Sequence, residues 1–427
     1  MRRLPFLLLT LLLVLAVSGL CHAQSLTLPE VVRLALARNE RARLAGLAVT
    51  SADAAVSKAR AGFLPSVTMT GGETLRPFTV QQGERTTVRS NAASGNLTIS
   101  QPLLSASTFP LVASARHNLE AARHNQVDLR RQLCFDAVRA FFGVIAQQRV
   151  FAAAQRRLDR ADNSLADTHA RVVAQLVSSN DETRALVERA TALQSVAGAT
   201  GALAQSRVSL EYVIDVPVAE DLQPPAERLV PETLKVSGLA GQALSTRPDL
   251  AASRESVAAA EASAEEPSLR LIPTVSAQAQ GKVADQSIAG DRQWDTTFLL
   301  SLNWAIWDAG VRSADASSRR ALADTATLQM QALRRRIQAD VKAAASSLEA
   351  ARMSVQAAEL GVDASRRSAD ETAVLYKQGL AKAIELFNAN QATFDAEVAM
   401  AAAQLSLRQA ELDVRSALGL FPIDGVQ

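Results

Sequence analysis

Phe63–Gly72 reads FLPSVTMTGG and Leu271–Gln280 reads LIPTVSAQAQ: in both, a proline ends a helix-like stretch and an alternating one begins. Proline disfavours the helical conformation in the residue before it, so each motif marks a helix-to-strand break, at Pro65 and at Pro273. The likeness extends well beyond ten residues. The segment Ala35 to Gly72 aligns without a gap on Ala243 to Gln280. LTISQPLLSAS from Leu97 matches LSLNWAIWDAG from Leu300, and LRRQLCFDAV from Leu129 resembles LRRRIQADVK from Leu333. VAQLVSSNDE from Val173 pairs with YKQGLAKAIE from Tyr376. Four matches in one order mean that the chain is an internal duplication. The Pro-rich VPVAEDLQPPAERLVPETL, Val216 to Leu234, stands between the copies.

Each copy carries the same pattern. A first helix is expected from about 28 to 61, and again from 238 to 265. Alternation then takes over: Val67 and Met69 against Ser66, Thr68 and Thr70, and Phe298, Leu300, Leu302, Trp304 and Ile306 against Thr297, Leu299, Ser301 and Asn303. Only Leu299 departs from the rhythm. Two strands per copy follow, about 65–75 with 94–104 and about 273–283 with 294–307. Such lengths suit tilted membrane strands, and a soluble hairpin fits the same residues. Trp304 and Trp307 suit an interfacial aromatic belt or packing in a loop.

Long helices come next. From 109 to 175 the only proline is Pro110 and the only glycine Gly143; from 311 to 378 there is no proline and one glycine, Gly361. A helix of that length measures about 100 Å at 1.5 Å per residue. Leu333, Ile337, Val341, Leu348 and Val355 recur at coiled-coil spacing. The chain turns back at VAQLVSS and YKQGLAK and returns as helices to Val213 and Leu418, so each copy holds a helical hairpin.

The 427-residue composition agrees: aromatics are 4% while hydrophobics reach 48%, largely through alanine, which suits closely packed helices burying narrow stripes. Residues 1–23 have a basic start at Arg2 and Arg3, an apolar run from Leu4 to Val17 and small residues before a cut after Ala23, the pattern of an export signal. Cys21 follows Leu20, where a lipoprotein site wants a small residue, so cleavage without a lipid is expected. Cleavage leaves Cys134 alone, with no internal disulfide and the character of a small buried residue. No later stretch approaches the roughly 20 apolar residues of a membrane helix, so any span must be made of strands.

Lys and Arg number 45 against 43 Asp and Glu, dispersed along helical stretches, which gives nucleic-acid binding no support. His117 and His124 stand two helical turns apart, roughly 10 Å, too far to share a metal. There is no Gly-rich phosphate loop and no His with a neighbouring acid and nucleophile, so neither an enzyme nor a cofactor is expected.

A doubled unit of helix, two strands and long helical hairpin resembles the TolC family of bacterial outer-membrane efflux and secretion channels. FLPSV and LIPTV, SQPLLSAS and NWAIWDAG, the turn YKQGLAKAIELFNANQ from Tyr376 and ALGL at Ala417–Leu420 carry the resemblance over nearly the whole mature chain. It implies a mainly helical fold with a transmembrane β part: a homotrimer, four strands per chain closing one twelve-stranded barrel in outer-membrane lipid, continued by a helical tunnel across the periplasm. Closure leaves no strand edge unpaired in lipid, so four strands demand partner chains independently of the resemblance. Partners would be a periplasmic adaptor and an inner-membrane pump, proton-driven or ATP-driven. The domain order expected is signal 1–23, first repeat 24–215, link 216–237 and second repeat 238–427.

In the family, acidic residues beyond the turn matching Gly379 ring the tunnel entrance. The two acids fall here on Glu385 and Asn388, so only the first keeps its charge. Threefold symmetry would set three Glu385 carboxylates about one axis and favour cations, more mildly than a two-acid ring, with Lys382 weakening the effect. Glu182 corresponds to Glu385 in the first copy, where Leu176 replaces the glycine. Tyr376 matches a tyrosine that helps hold the entrance shut. The family's basic residue falls on Ala381, leaving Lys382 to substitute. A periplasmic adaptor, also exported and built on helical hairpins, is the alternative reading. It would need a lipoyl-like module flanking a single hairpin, whereas here the hairpin occurs twice, each with its own strand pair.

Overall fold

The computed structural model describes residues 26–78, 80–82, 85–88, 91–218, 221–225, 238–285 and 293–424; the signal segment with Cys21, and most of the link, lie outside them. The elements are α1 (Leu28–Arg38), α2 (Glu40–Arg60), β1 (Ser66–Leu75), β2 (Val80–Gln82), β3 (Arg85–Val88), β4 (Asn91–Leu104), α3 (Thr108–Val173) and α4 (Ser179–Ile214). Then follow α5 (Leu239–Thr246), α6 (Pro248–Leu269), β5 (Thr274–Ala284), β6 (Trp294–Asn303), α7 (Val311–Lys377) and α8 (Ala383–Ala417). A short 3₁₀ turn, Ala61–Phe63, precedes Pro65.

The chain divides into two compact units, one built from residues up to 43, 128–247 and 336–427, the other from 44–127 and 248–335. Each unit draws on both sequence repeats. The second unit holds the main sheet, antiparallel in the order β1-β4-β5-β6, with β1 and β6 as its edges. Register makes the alternation physical. Val67, Ile99, Ala279 and Phe298 stand in one row and Met69, Leu97, Gly281 and Thr296 in the next, with Leu300 and Leu302 completing the same face. The opposite face carries Thr68, Thr70, Asn96, Thr98, Ser100, Ser276, Gln278, Gln280, Thr297 and Ser301, with Lys282 opposite Asp295.

Among the described residues nothing covers the apolar face: Met69 and Phe298 are each 81% exposed, and every residue of β1 is exposed. A sheet of this kind is unstable in water, and both conditions, apolar surface and open edges, are met by lipid and partner strands. Among the described residues no helix is long and apolar enough to cross a membrane.

The first unit is a helical assembly around Val31 and Val32 of α1, Leu133, Val138, Phe141 and Val144 of α3, Leu210 and Ile214 of α4, Ile337 of α7 and Leu412 of α8, all nearly inaccessible. Cys134 is buried here, and burial pushes its thiol up to about 11, too high for a thiolate nucleophile at neutral pH.

Three expectations need correction. The first helix of each copy is broken. Asn39 is extended, with ψ 135°, and its side-chain oxygen accepts from the Arg41 N–H at 3.0 Å, which starts α2 anew. In the second copy Arg247 is extended because Pro248 follows it, and α6 runs on to Leu269. Both breaks serve the same end: the Asn39 amide donates to the Val213 carbonyl at 2.9 Å, and the Thr246 hydroxyl donates to the Leu418 carbonyl, so each caps the returning helix of its own copy. Gly419, with φ +75°, lies so close to Arg247 that a Cβ would meet its backbone at 2.9 Å, which explains the glycine of ALGL.

The second correction is that β6 ends at Asn303, not at 307. Trp304 turns out of the ladder, and its indole N–H donates to the Leu271 carbonyl at 3.0 Å. The third is a small extra hairpin, β2 with β3, inside what the sequence presented as a plain polar loop.

Candidate functional site at the hairpin turns

The turns after α3 and α7 are built alike. In each, an N–H reaches back five residues, Leu176 to the Arg171 carbonyl and Leu380 to the Leu375 carbonyl, both at 2.9 Å. This closure requires a left-handed residue just before it, supplied by Gln175 (φ 57°) and Gly379 (φ 79°). New helices then start behind Ser178 and Lys382. The matching bonds place Gln175 on Gly379 and Asp181 on Glu385. That is one residue away from the sequence correspondence, which had put Leu176 and Glu182 there. The offset of 204 residues that relates Leu129 to Leu333 therefore continues through the turn, where the letter match of Val173 with Tyr376 had shortened it by one.

Glu385 is exposed in the first turn of α8, where its carboxylate accepts from the Lys382 backbone N–H at 3.4 Å and meets the positive end of the helix. Asn388 is exposed one turn on, and Lys382 is exposed at the cap. Asp181 holds the equivalent place in α4, and the reading of the sequence missed it; the signal was Ser178, an N-cap three residues before an acid. Glu182 instead meets Nδ1 of His169 across the turn at 2.7 Å.

Tyr376 is buried. Its hydroxyl shares a hydrogen bond with the Thr168 hydroxyl at 2.9 Å. Arg171 of α3 donates to the carbonyls of Tyr376 and Lys377, both at 2.8 Å, and its guanidinium lies 4.8 Å from the centre of the Tyr376 ring. One arginine thereby reaches two of the last carbonyls of α7, of which that of Tyr376 also accepts from the Gly379 N–H at 3.1 Å, and places a cation at the negative end of that helix. Within the chain, the basic side chain against Tyr376 is that of Arg171. No local pattern marks Arg171, because its partners lie some two hundred residues away. Pro65 and Pro273 stand apart from this site, each immediately before a strand of the sheet.

Farther along the helices Glu397 of α8 is held by two arginines, Arg156 of α3 at 2.8 Å and Arg366 of α7 at 2.8 Å. Burial pushes its carboxyl up, but the hydrogen bonds from Arg156 and Arg366 outweigh that and hold it below the usual range. Glu188 of α4 is the reverse case: burial raises it to about 7 against the lowering influence of Arg157, which spends its own donors on Ser195 and Thr191.

The unfolded chain ionises Glu188 near pH 4.3, so the folded form holds the proton longer, and Glu188 weakens the fold as pH rises from about 4 to 7. Glu188→Gln removes that penalty. Melting of the variant and the unaltered protein should coincide near pH 4 and separate by up to about 3 kcal/mol per subunit, in the variant's favour, at pH 8. Equal melting at both pH values contradicts the assignment.

The model of the outer membrane efflux protein family matches residues 31–214 and 239–420, both halves of the duplication. The chain belongs to the outer membrane efflux protein family. Solved structures agree with the fold. The outer-membrane channel OprN is 22% identical, with TM-score 0.79 over 92% of this chain and 89% of that one. The open-state MtrE outer-membrane channel of Neisseria gonorrhoeae is 21% identical, with TM-score 0.78 over 94% and 90%. The CmeC outer-membrane channel of Campylobacter jejuni is 15% identical, with TM-score 0.79 over 92% and 85%. No curated protein matches the chain in sequence. This efflux protein is therefore an outer-membrane channel component of a tripartite efflux system, located in the outer membrane and extending into the periplasm. Its family and fold are those of channels.

Proposed function

We propose that three copies of this chain close a twelve-stranded barrel and form a passive exit duct, gated at the hairpin turns. The sheet carries this reading. It has one uncovered apolar face, one polar face and two open edges, so edge-to-edge closure of several copies satisfies every strand in lipid. The chain itself performs no reaction. Energy comes from an inner-membrane pump reached through a periplasmic adaptor, and the two repeats, 24–215 and 238–427, give each subunit two hairpins around the duct.

At the turns Glu385 supplies the charge that selects ions, and Asp181 stands at the matching place in the other hairpin. Asn388 adds hydrogen-bonding capacity without charge. Tyr376, Thr168 and Arg171 form the latch, and Gly379 provides the backbone turn that brings them together. Lys382 lowers the net negative charge of the ring, and Glu182 is taken up by His169.

Single-channel recording of the purified protein in a planar bilayer tests this, beside Glu385→Gln. The unaltered channel should prefer cations, and the variant should lose most of that preference while its steps persist. Unchanged reversal potentials would remove Glu385 from the account and leave the duct standing.

A further inference from the structure

Away from the turns, the helical unit contains a cavity of about 400 Å³ between α3, α7 and α8. Phe142 and Ile145 of α3 and Ala401 of α8, all buried, give it an apolar floor. Three arginines line it, Arg149, Arg352 and Arg408, against two glutamates, Glu359 and Glu411, leaving one positive charge in excess. Arg408 is committed, since it donates to the buried Glu411 carboxylate at 2.8 Å. Arg149 is different: among the described residues its guanidinium makes neither a hydrogen bond nor an ion pair. Burial, and then the positive charge of Arg408, both lower its proton affinity, with no carboxylate acting in the other direction.

We propose that this cavity binds a small amphiphilic monoanion, a carboxylate or sulfonate on an apolar ring body, with Arg149 receiving the anionic group. The volume falls in the range of organic-ligand pockets, and the lining sets the apolar floor of Phe142, Ile145 and Ala401 against charged and amide side chains, which suits a ligand with one apolar and one anionic end. A single excess charge fits a monoanion better than a polyphosphate. A planar guanidinium with free donors binds a carboxylate or sulfonate through paired hydrogen bonds, which a neutral solute of the same shape cannot reproduce. The assignment is independent of the gate, because the cavity shares no residue with the turns.

The probe is 1-naphthoate, soluble and non-micellar, with the neutral 1-naphthamide as its isostere, each titrated into the purified full-length assembly by equilibrium dialysis. Naphthoate should bind at one site per subunit, about tenfold tighter than the amide. Arg149→Gln should weaken naphthoate about tenfold and leave the amide unchanged, and Arg149→Lys should recover part of the loss by keeping the charge. Because Arg149 makes no hydrogen bond or ion pair among the described residues, both variants are expected to fold, which retention of the oligomer on a sizing column checks. Equal binding of acid and amide, or naphthoate affinity unmoved by Arg149→Gln, overturns the proposal.

Discussion

Phe298→Arg is expected to keep the protein out of the outer membrane, whereas Gln278→Arg, one strand away and on the other face, is expected to insert normally. Phe298 is 81% exposed in the row Val67, Ile99, Ala279, Phe298, at the middle of its strand. An arginine on the lipid face of a barrel near the midplane costs roughly 2–4 kcal/mol, and three copies in one barrel multiply that to roughly 6–12 kcal/mol per assembly. Gln278 shares its face with Thr98, Ser100 and Ser276, where an arginine meets water in the duct. Membrane fractionation and oligomer content on gels measure both variants. If Phe298→Arg inserts as well as Gln278→Arg, the apolar face does not meet lipid.

The second large effect concerns the turns. Arg171→Ala removes two hydrogen bonds to the end of α7 and the cation over Tyr376. Hydrogen bonds from a charged donor contribute about 1.5–3 kcal/mol each, and the partial exposure of Arg171 places the total near the lower end, about 2–3 kcal/mol per subunit. A shift of that size moves a closed-to-open ratio by about 30- to 150-fold, so the mean conductance of a largely closed channel should rise at least tenfold. Arg171→Lys, which keeps the charge but not the planar fork, should fall between. Conductance unchanged by Arg171→Ala would reduce the residue to a helix cap.

Much of this architecture could be read from the chain. Two features needed no long-range information: Pro65 and Pro273 end helices for local steric reasons, and the alternation through Phe298, Leu300 and Leu302 fixes one face of a strand. The coiled-coil spacing through Ile337, Val341 and Leu348 was equally plain, and all three are buried. What escaped depends on partners distant in sequence. Asn39 looks like any helical polar residue until its amide is seen capping Val213. Arg171 is one of many surface arginines until α7 ends against it. The turn correspondence slipped by one residue because the letters pair Gln175 with Gln378 and Glu182 with Glu385, whereas the backbone puts Gln175 in the left-handed position that Gly379 holds. Asp181 was lost with that slip.

The claim on which everything else rests is that this chain assembles into a conducting pore. Recording the unaltered, purified assembly in a planar bilayer measures it directly. Discrete steps of uniform size, small at rest and cation-preferring, are the result expected; folded protein that enters the bilayer and yields no steps would contradict the account.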